Sequence, residues 1–507
     1  MSSKNKCILC GKQAKRHCLA LDDFICSLCC GTKRGIEIDC SSQCRFFPFA
    51  VPGYNLWLKL DGTIIPKLAE RVISEFGHDH FKKIMKPFSD ESRSEDLDME
   101  FCFNAAIYHL LMVEKDQEGR TLAERWEEEE WEGLDRGETL MMKYRGKSFV
   151  TVIEIQKILD HQRMECIDLF DPEQKPFILL DRSTTPHAIR FTRLFGWLTH
   201  YPNFSRPGIL QFILPQIIRR EFINEIFDRC ELATGRSDEE TLKDYMAANL
   251  PDLIELIWTM PKEKMRAIFR TMDSHQCIAE YSLEVPREEI ENLLESKPDF
   301  DWDDREPEEG DPPGTDYYIW HRTGESRELE KEMPASFRHD PGSGQVGIVG
   351  NLKITDDFFI LETLTRRTYE FAQKMLVKYF RDKIKFRKER IIDLARQIAE
   401  NDLDETIRSE PQPPPSQKEI PPEIEAELMS NFYRDRYTKF PDEEVPALNG
   451  LTPRQAAGDP GSRPLLLDLM KEHLNGIESM NRKKGFDINI DFALRELGLE
   501  ELIDPPN

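Results

Sequence analysis

The sequence predicts a multidomain α+β protein. Its expected parts are an N-terminal double-zinc module, helices, a small SH3- or OB-like β-barrel, an α+β domain and a C-terminal helical domain. Three observations lead there. The chain has 507 residues, and at about 100–200 residues per domain one core cannot serve it. Eight of its 12 cysteines fall in the first 44 positions. Beyond them, the hydrophobic period switches repeatedly between helical spacing and strand alternation.

Cys7, Cys10, Cys18, Cys26, Cys29, Cys30, Cys40 and Cys44 follow the spacing C-x2-C-x7-C-x7-C-x2-C-C-x9-C-x3-C. Two residues between cysteines let both thiolates face one cation, and zinc prefers four such soft ligands in a tetrahedron. Eight thiols make two full sets. The expected pairing places Cys7, Cys10, Cys26 and Cys29 on one Zn2+ and Cys18, Cys30, Cys40 and Cys44 on the other. Adjacent Cys29 and Cys30 would then face opposite sides. His17 or Asp22 stay open as substitute ligands. Both ions are expected to be structural, because a head with almost no apolar core needs them to fold. A disulfide knot would need an oxidising compartment. A thioredoxin-like pair would need an apolar helix after "CILC" or "CSLC", and none follows.

Formal net charge is −25, which repels nucleic acid unless positive charge is locally concentrated. Residues 1–50 supply such a place, with eight Lys and Arg against four Asp and Glu, a net of +4. No apolar run reaches the roughly 18–20 residues of a membrane helix, and "MSSKNKCILC" lacks a signal-peptide core. The expected setting is the cytoplasm, with no membrane partner.

The rest of the chain divides by pattern. Residues 51–147 are expected to be helical, with helices over 63–85 and 98–114. "TLAERWEEEEWEG" (121–133) reads as a solvated helix face with buried tryptophans. Residues 148–206 hold "SFVTVIEIQKIL", "MECIDLF", "PFILLD" and "IRFTRLFGWLT", short strands cut by turn signals, hence the barrel. Helices are expected over 207–272. The α+β domain, 273–407, would pair "CIAEYSLEV", "DYYIWHR", "GQVGIVGNLKIT" and "FFILETLT" in a meander closed by a long helix from about Arg367 to Glu400. "RSEPQPPPSQKEIPPE" (408–423) is a polyproline-type linker, and 424–507 form a helical C-terminal domain.

Nucleotide-loop, serine-hydrolase and zinc-protease motifs are absent. "PGSGQVGIVG" (341–350) reads as a hairpin turn. Glu75, His78 and His80 in "EFGHDH" offer metal ligands at an undistinctive spacing, and an exposed helix end explains them as well. Cys102, Cys166, Cys230 and Cys277 lie in apolar patterns and are expected in cores.

The C-x2-C … C-x7-C-x2-C head resembles cross-braced zinc modules of the B-box and MYND type, with cysteines where those often carry terminal histidines. The order of Cys-rich head, "TLAERW", "CIDLFD", "FFILETLTRR" and "EEVPALNGLTPRQAAGDPGSRPLLLDLM" resembles a group of uncharacterised bacterial proteins. Some of these carry SEC-C zinc motifs, which this chain lacks. The tail from Tyr437 to Met470 resembles the toxin-binding domain of certain antitoxins, where a Trp-Leu precedes a P-x-L-G-G-x-T-P turn. Here Tyr437-Thr438 stands near the Trp-Leu place, and Pro446-Ala447-Leu448-Asn449-Gly450-Leu451-Thr452-Pro453 forms the turn. Physically, Gly450 suits a positive-φ position, Thr452 an N-cap and Pro453 the first helical residue. The resemblance implies an architecture and brings no activity.

The functional expectation is a non-enzymatic zinc-binding protein that works by holding a protein partner. One alternative is a nucleic-acid binder using the basic head and a barrel face around Arg190, Arg193 and Trp197. Another is an enzyme with an unrecognised site in the α+β block.

Overall fold

The computed structural model describes residues 5–88, 99–271, 273–305, 311–312, 314–332, 347–394, 396 and 422–503. The chain forms two compact units, one of residues 1–261 with 416–507 and one of 262–415.

The first unit opens with a short hairpin, β1 (Arg16–Cys18) against β2 (Asp23–Ile25), followed by helix Ser27–Lys33. "CRFFPFA" then ties the head to the body. Phe47 and Phe49 are buried in a core with Trp57, Leu68 and Leu111. Helix Tyr54–Met85 breaks its regular dihedrals at Gly77, where φ is +79°, and packs on helix Met99–Met112. Helix Leu122–Glu128 starts at a capping box. Thr121 accepts from Glu124 N–H, and the Glu124 side chain reaches back to Thr121 N–H. Trp126 and Trp131 are buried while the glutamates between them stay exposed, as expected, but the helix ends at Glu128 and Trp131 lies in the turn beyond it, with φ +59°.

Five strands close a barrel in the order β3-β4-β5-β7-β6. They are β3 (Phe149–Ile158), β4 (Arg163–Asp168), β5 (Phe177–Leu180), β6 (Arg193–Tyr201) and β7 (Phe204–Ile213). Ile153, Ile155, Met164, Cys166, Leu194 and Leu198 form one core. Val150, Val152, Phe195 and Trp197 join another with helices Met99–Met112 and Arg219–Thr234. Burial on both faces makes these strands read as continuous apolar runs. The expected end at 206 falls short, since β7 runs to Ile213. Pro207 and Gly208 look like breakers, yet they sit beside a bulge opposite β6. A Cβ on Gly208 would lie 2.4 Å from Trp197 Cβ, so glycine lets the two strands approach.

Helices Pro422–Lys439, Pro453–Gly458, Arg463–Lys484 and Asp491–Glu496 follow. Their core of Tyr437, Phe440, Leu466, Met470, Leu474 and Leu494 also takes in Phe191 from the barrel, so these helices dock on it. The turn behaves as its sequence predicts. Gly450 has φ +82°, and Thr452 and Gln455 form a capping box before Pro453.

The second unit is a six-stranded antiparallel sheet, ordered β13-β8-β12-β11-β10-β9. Its strands are β8 (His275–Leu283), β9 (Phe300–Asp303), β10 (Asp316–His321), β11 (Ile348–Ile354), β12 (Phe358–Thr363) and β13 (Ile384–Asp393). Alternate residues Cys277, Ala279 and Tyr281 share a core with Ile290 and Leu294 of helix Arg287–Glu295 and with Tyr369, Leu376 and Phe380 of helix Arg366–Phe380. The sheet has a further strand in the acidic segment after Lys297, where Phe300–Asp303 pairs as β9 with β10. One expectation is corrected. The helix expected to run to Glu400 stops at Phe380, where Arg381 takes φ +48°, and "IKFRKERIID" pairs with β8. Its Lys, Arg and Glu favour helix locally, but sheet pairing overrides that preference. Residues 341–346 of the glycine-rich turn and 408–421 of the linker lie outside the described residues.

Candidate metal centre

Two cysteine knuckles build the site. In the first, Cys7 N–H donates to Lys12 O at 2.7 Å, and Gly11 N–H donates to Cys7 O at 2.8 Å. Gly11 holds φ +73°, which glycine adopts without strain. In the second, Cys26 caps helix Ser27–Lys33, its Sγ accepting from Cys29 N–H at 3.3 Å. Ile8 N–H donates to Phe24 O at 3.0 Å, drawing the first knuckle onto the hairpin that leads into the second.

The Sγ atoms of Cys7, Cys10, Cys26 and Cys29 all lie within 4.8 Å of one another, Cys10 and Cys26 at 3.6 Å. Metal–sulfur bonds near 2.3 Å in a tetrahedron set S···S distances of about 3.8 Å. The group can therefore hold a metal ion. Burial opposes ionisation of Cys7, but the backbone N–H groups of Cys26, Leu9 and Cys10 outweigh it and bring that thiol down to about 6. Cys29 is pushed up to about 12, first by the Cys10 and Cys26 side chains and then by burial. Four thiolates this close repel, and a bound cation removes the conflict.

No family model, curated protein or solved structure matches this chain.

Cys18, Cys30, Cys40 and Cys44 line a second enclosure of about 10 Å³, together with Arg16, His17 and Arg34. Burial raises Cys40 to about 11, and Cys44, Cys30 and Cys18 add to that rise. Adjacent Cys29 and Cys30 thus serve different groupings. Among the described residues, only the first four form the tight cluster. His17 borders the second enclosure and lies 3.6 Å from Asp22, and neither joins the first cluster.

Other candidate residues are engaged elsewhere. Arg190 Nε donates to Glu478 Oε1 at 2.6 Å. Arg193 pairs with Glu154 at 2.8 Å and with Asp468. Trp197 is buried against Tyr108. Arg190, Arg193 and Trp197 are therefore committed to internal ion pairs and packing. Glu75 pairs with Arg125 at 2.7 Å and His80 with Glu114 at 2.8 Å, while His78 is exposed. Cys102, Cys166, Cys230 and Cys277 are all buried, as expected.

Sequence reasoning missed one nucleophile–base contact, His200 Nδ1 to Ser205 Oγ at 2.6 Å. These two are register partners on β6 and β7, and among the described residues no carboxylate orients the imidazole. It is a cross-strand hydrogen bond. Its only sequence signal is two polar residues flanking the tight turn "YPNF".

Proposed function

We propose that the chain is a zinc-stapled interaction protein, whose head seats two structural Zn2+ ions and captures a protein partner. One observation carries this reading. Ile8, Leu9 and Leu28 are 54%, 42% and 63% exposed, and all three sit inside the two C-x2-C turns that meet at the four-thiol cluster. They add nothing to the core, and clustered exposed apolar side chains mark docking surfaces. The surrounding charge is positive, so the fitting partner segment mixes apolar with acidic residues. The second ion rests on the enclosure shared by Cys18, Cys30, Cys40 and Cys44.

Zinc analysis and peptide display test the two halves. Full-length protein purified without chelator should carry about two zinc ions per chain, and Cys30→Ser about one. A single ion in the unsubstituted protein removes the second site. Random peptides selected on the zinc-loaded chain should be acidic and apolar. They should be lost by the Leu9→Ser, Leu28→Ser double variant, which keeps its zinc. Equal binding by that variant would place the docking surface elsewhere.

A further inference from the structure

A cavity of about 810 Å³ opens along the seam between the barrel and helix Arg463–Lys484. Ile155 and Leu194 from the barrel core line it, together with Ile213, which is 64% exposed. The charged residues that line it are Arg219, Lys483 and Lys484, and no aspartate or glutamate is among them. That is unusual in a chain whose acids outnumber its bases 94 to 69.

Arg219 is only 4% exposed. Its Nε donates to Leu214 O at 3.1 Å, Nη1 to Phe191 O at 3.2 Å and Nη2 to Asn475 Oδ1 at 3.1 Å. Three bonds leave two of a guanidinium's five N–H groups unspent. Among the described residues, neither Arg219 nor Lys483 has a carboxylate within ion-pair distance. Burial, then the neighbouring charge of Arg193, lowers Arg219 to about 10 against the more distant pull of Glu472, Glu154 and Asp468, so it stays cationic at neutral pH. A buried cation with no carboxylate in direct contact is only partly compensated, and an anion beside it offsets the remaining cost.

We propose that this cavity binds an amphipathic carboxylate, its aliphatic chain over Ile155 and Leu194 and its head group toward Arg219 and Lys483. The volume falls in the range of small-molecule sites. This site is independent of the cysteine head and of its partner.

Decanoate titrated into the full-length chain by calorimetry tests the assignment. Saturable one-to-one binding below about 1 mM is expected, with decanol at least about tenfold weaker. Arg219 also holds the seam together, so the informative variants are Lys483→Glu and Ile213→Asp at exposed positions. Each should weaken decanoate by about tenfold while leaving thermal unfolding of the free protein unchanged. Non-saturable binding, or affinity unaltered in both variants, overturns the site. Decanol binding as tightly as decanoate overturns the anionic head group.

Discussion

Lys471 Nζ lies 2.5 Å from Oε1 of Glu154, joining the long C-terminal helix to β3 across 317 positions. Glu154 is buried, and its other oxygen accepts from Arg193 Nε at 2.8 Å. Arg193 in turn pairs with Asp468 on the same helix. Burial works against the Glu154 charge, but Lys471 and Arg193 outweigh it and hold its pKa below the usual carboxylate value.

Glu154→Gln should therefore destabilise the first unit by about 2–3 kcal/mol, because buried Arg193 keeps only Asp468 and half-buried Lys471 loses its carboxylate partner. The stabilisation from Glu154 is present above the ordinary carboxylate pKa and is lost as pH falls through its lowered folded value. Urea unfolding at neutral pH checks the substitution. A loss under about 1 kcal/mol would mean that Arg193 relaxes onto Asp468 alone.

His473 gives a second pH signature. Its ring packs against Tyr437 and Phe440 at centroid distances of 5.8 and 5.4 Å. Burial, then the Arg436 charge, lowers its pKa to about 4. Between about pH 6.5 and 4 the unfolded chain takes up a proton that the folded chain refuses. The contribution is full above about 6.5 and falls away toward 4, by about 3 kcal/mol. His473→Phe should flatten this part of the stability curve. Parallel curves for the two proteins between those limits would refute the assignment.

Two glycines, one just before helix Tyr54–Met85 and one inside it, should respond with opposite signs. A Cβ on Gly53 would lie 1.8 Å from Phe47 O, whereas one on Gly62 meets nothing within 4 Å. Gly53→Ala should cost about 2–3 kcal/mol and loosen the head from the body. Gly62→Ala, inside helix Tyr54–Met85, should gain about 0.5–1 kcal/mol. Thermal unfolding of both variants reads the contrast directly, and two shifts of the same sign would contradict it.

Thr452→Ala removes the side chain that accepts from Gln455 N–H at 3.2 Å. The expected loss is about 1 kcal/mol, measured by denaturant unfolding. Thr452→Ser should recover most of it, and equal losses for Ala and Ser would exclude a capping role.

What the sequence reveals depends on how local each cause is. The thiol cluster was legible because metal geometry fixes spacing within a few residues, and the Thr452 cap because its partner is three positions away. The barrel was legible as strands, but its last strand was hidden by Pro207 and Gly208, whose reason is a close approach to Trp197. β13 was hidden because its pairing with β8 spans a hundred residues of chain while its own composition favours helix. Arg190 and Arg193 read as a free basic face for the same reason. Their acidic partners Glu478 and Asp468 stand nearly 300 positions away, and no local pattern announces them. The cavity beside Arg219 depends on that same distant helix.

The discontinuity of the first unit has a consequence for synthesis. Its barrel ends at Ile213, but the helix that neutralises Glu154 and Arg193 is complete only at Lys484. At about 5–20 residues per second, a ribosome takes roughly 15–50 s to cover that interval. Throughout it, the barrel waits with its charged seam open to water. Residues 262–415, being contiguous, have everything they need well before the first unit does.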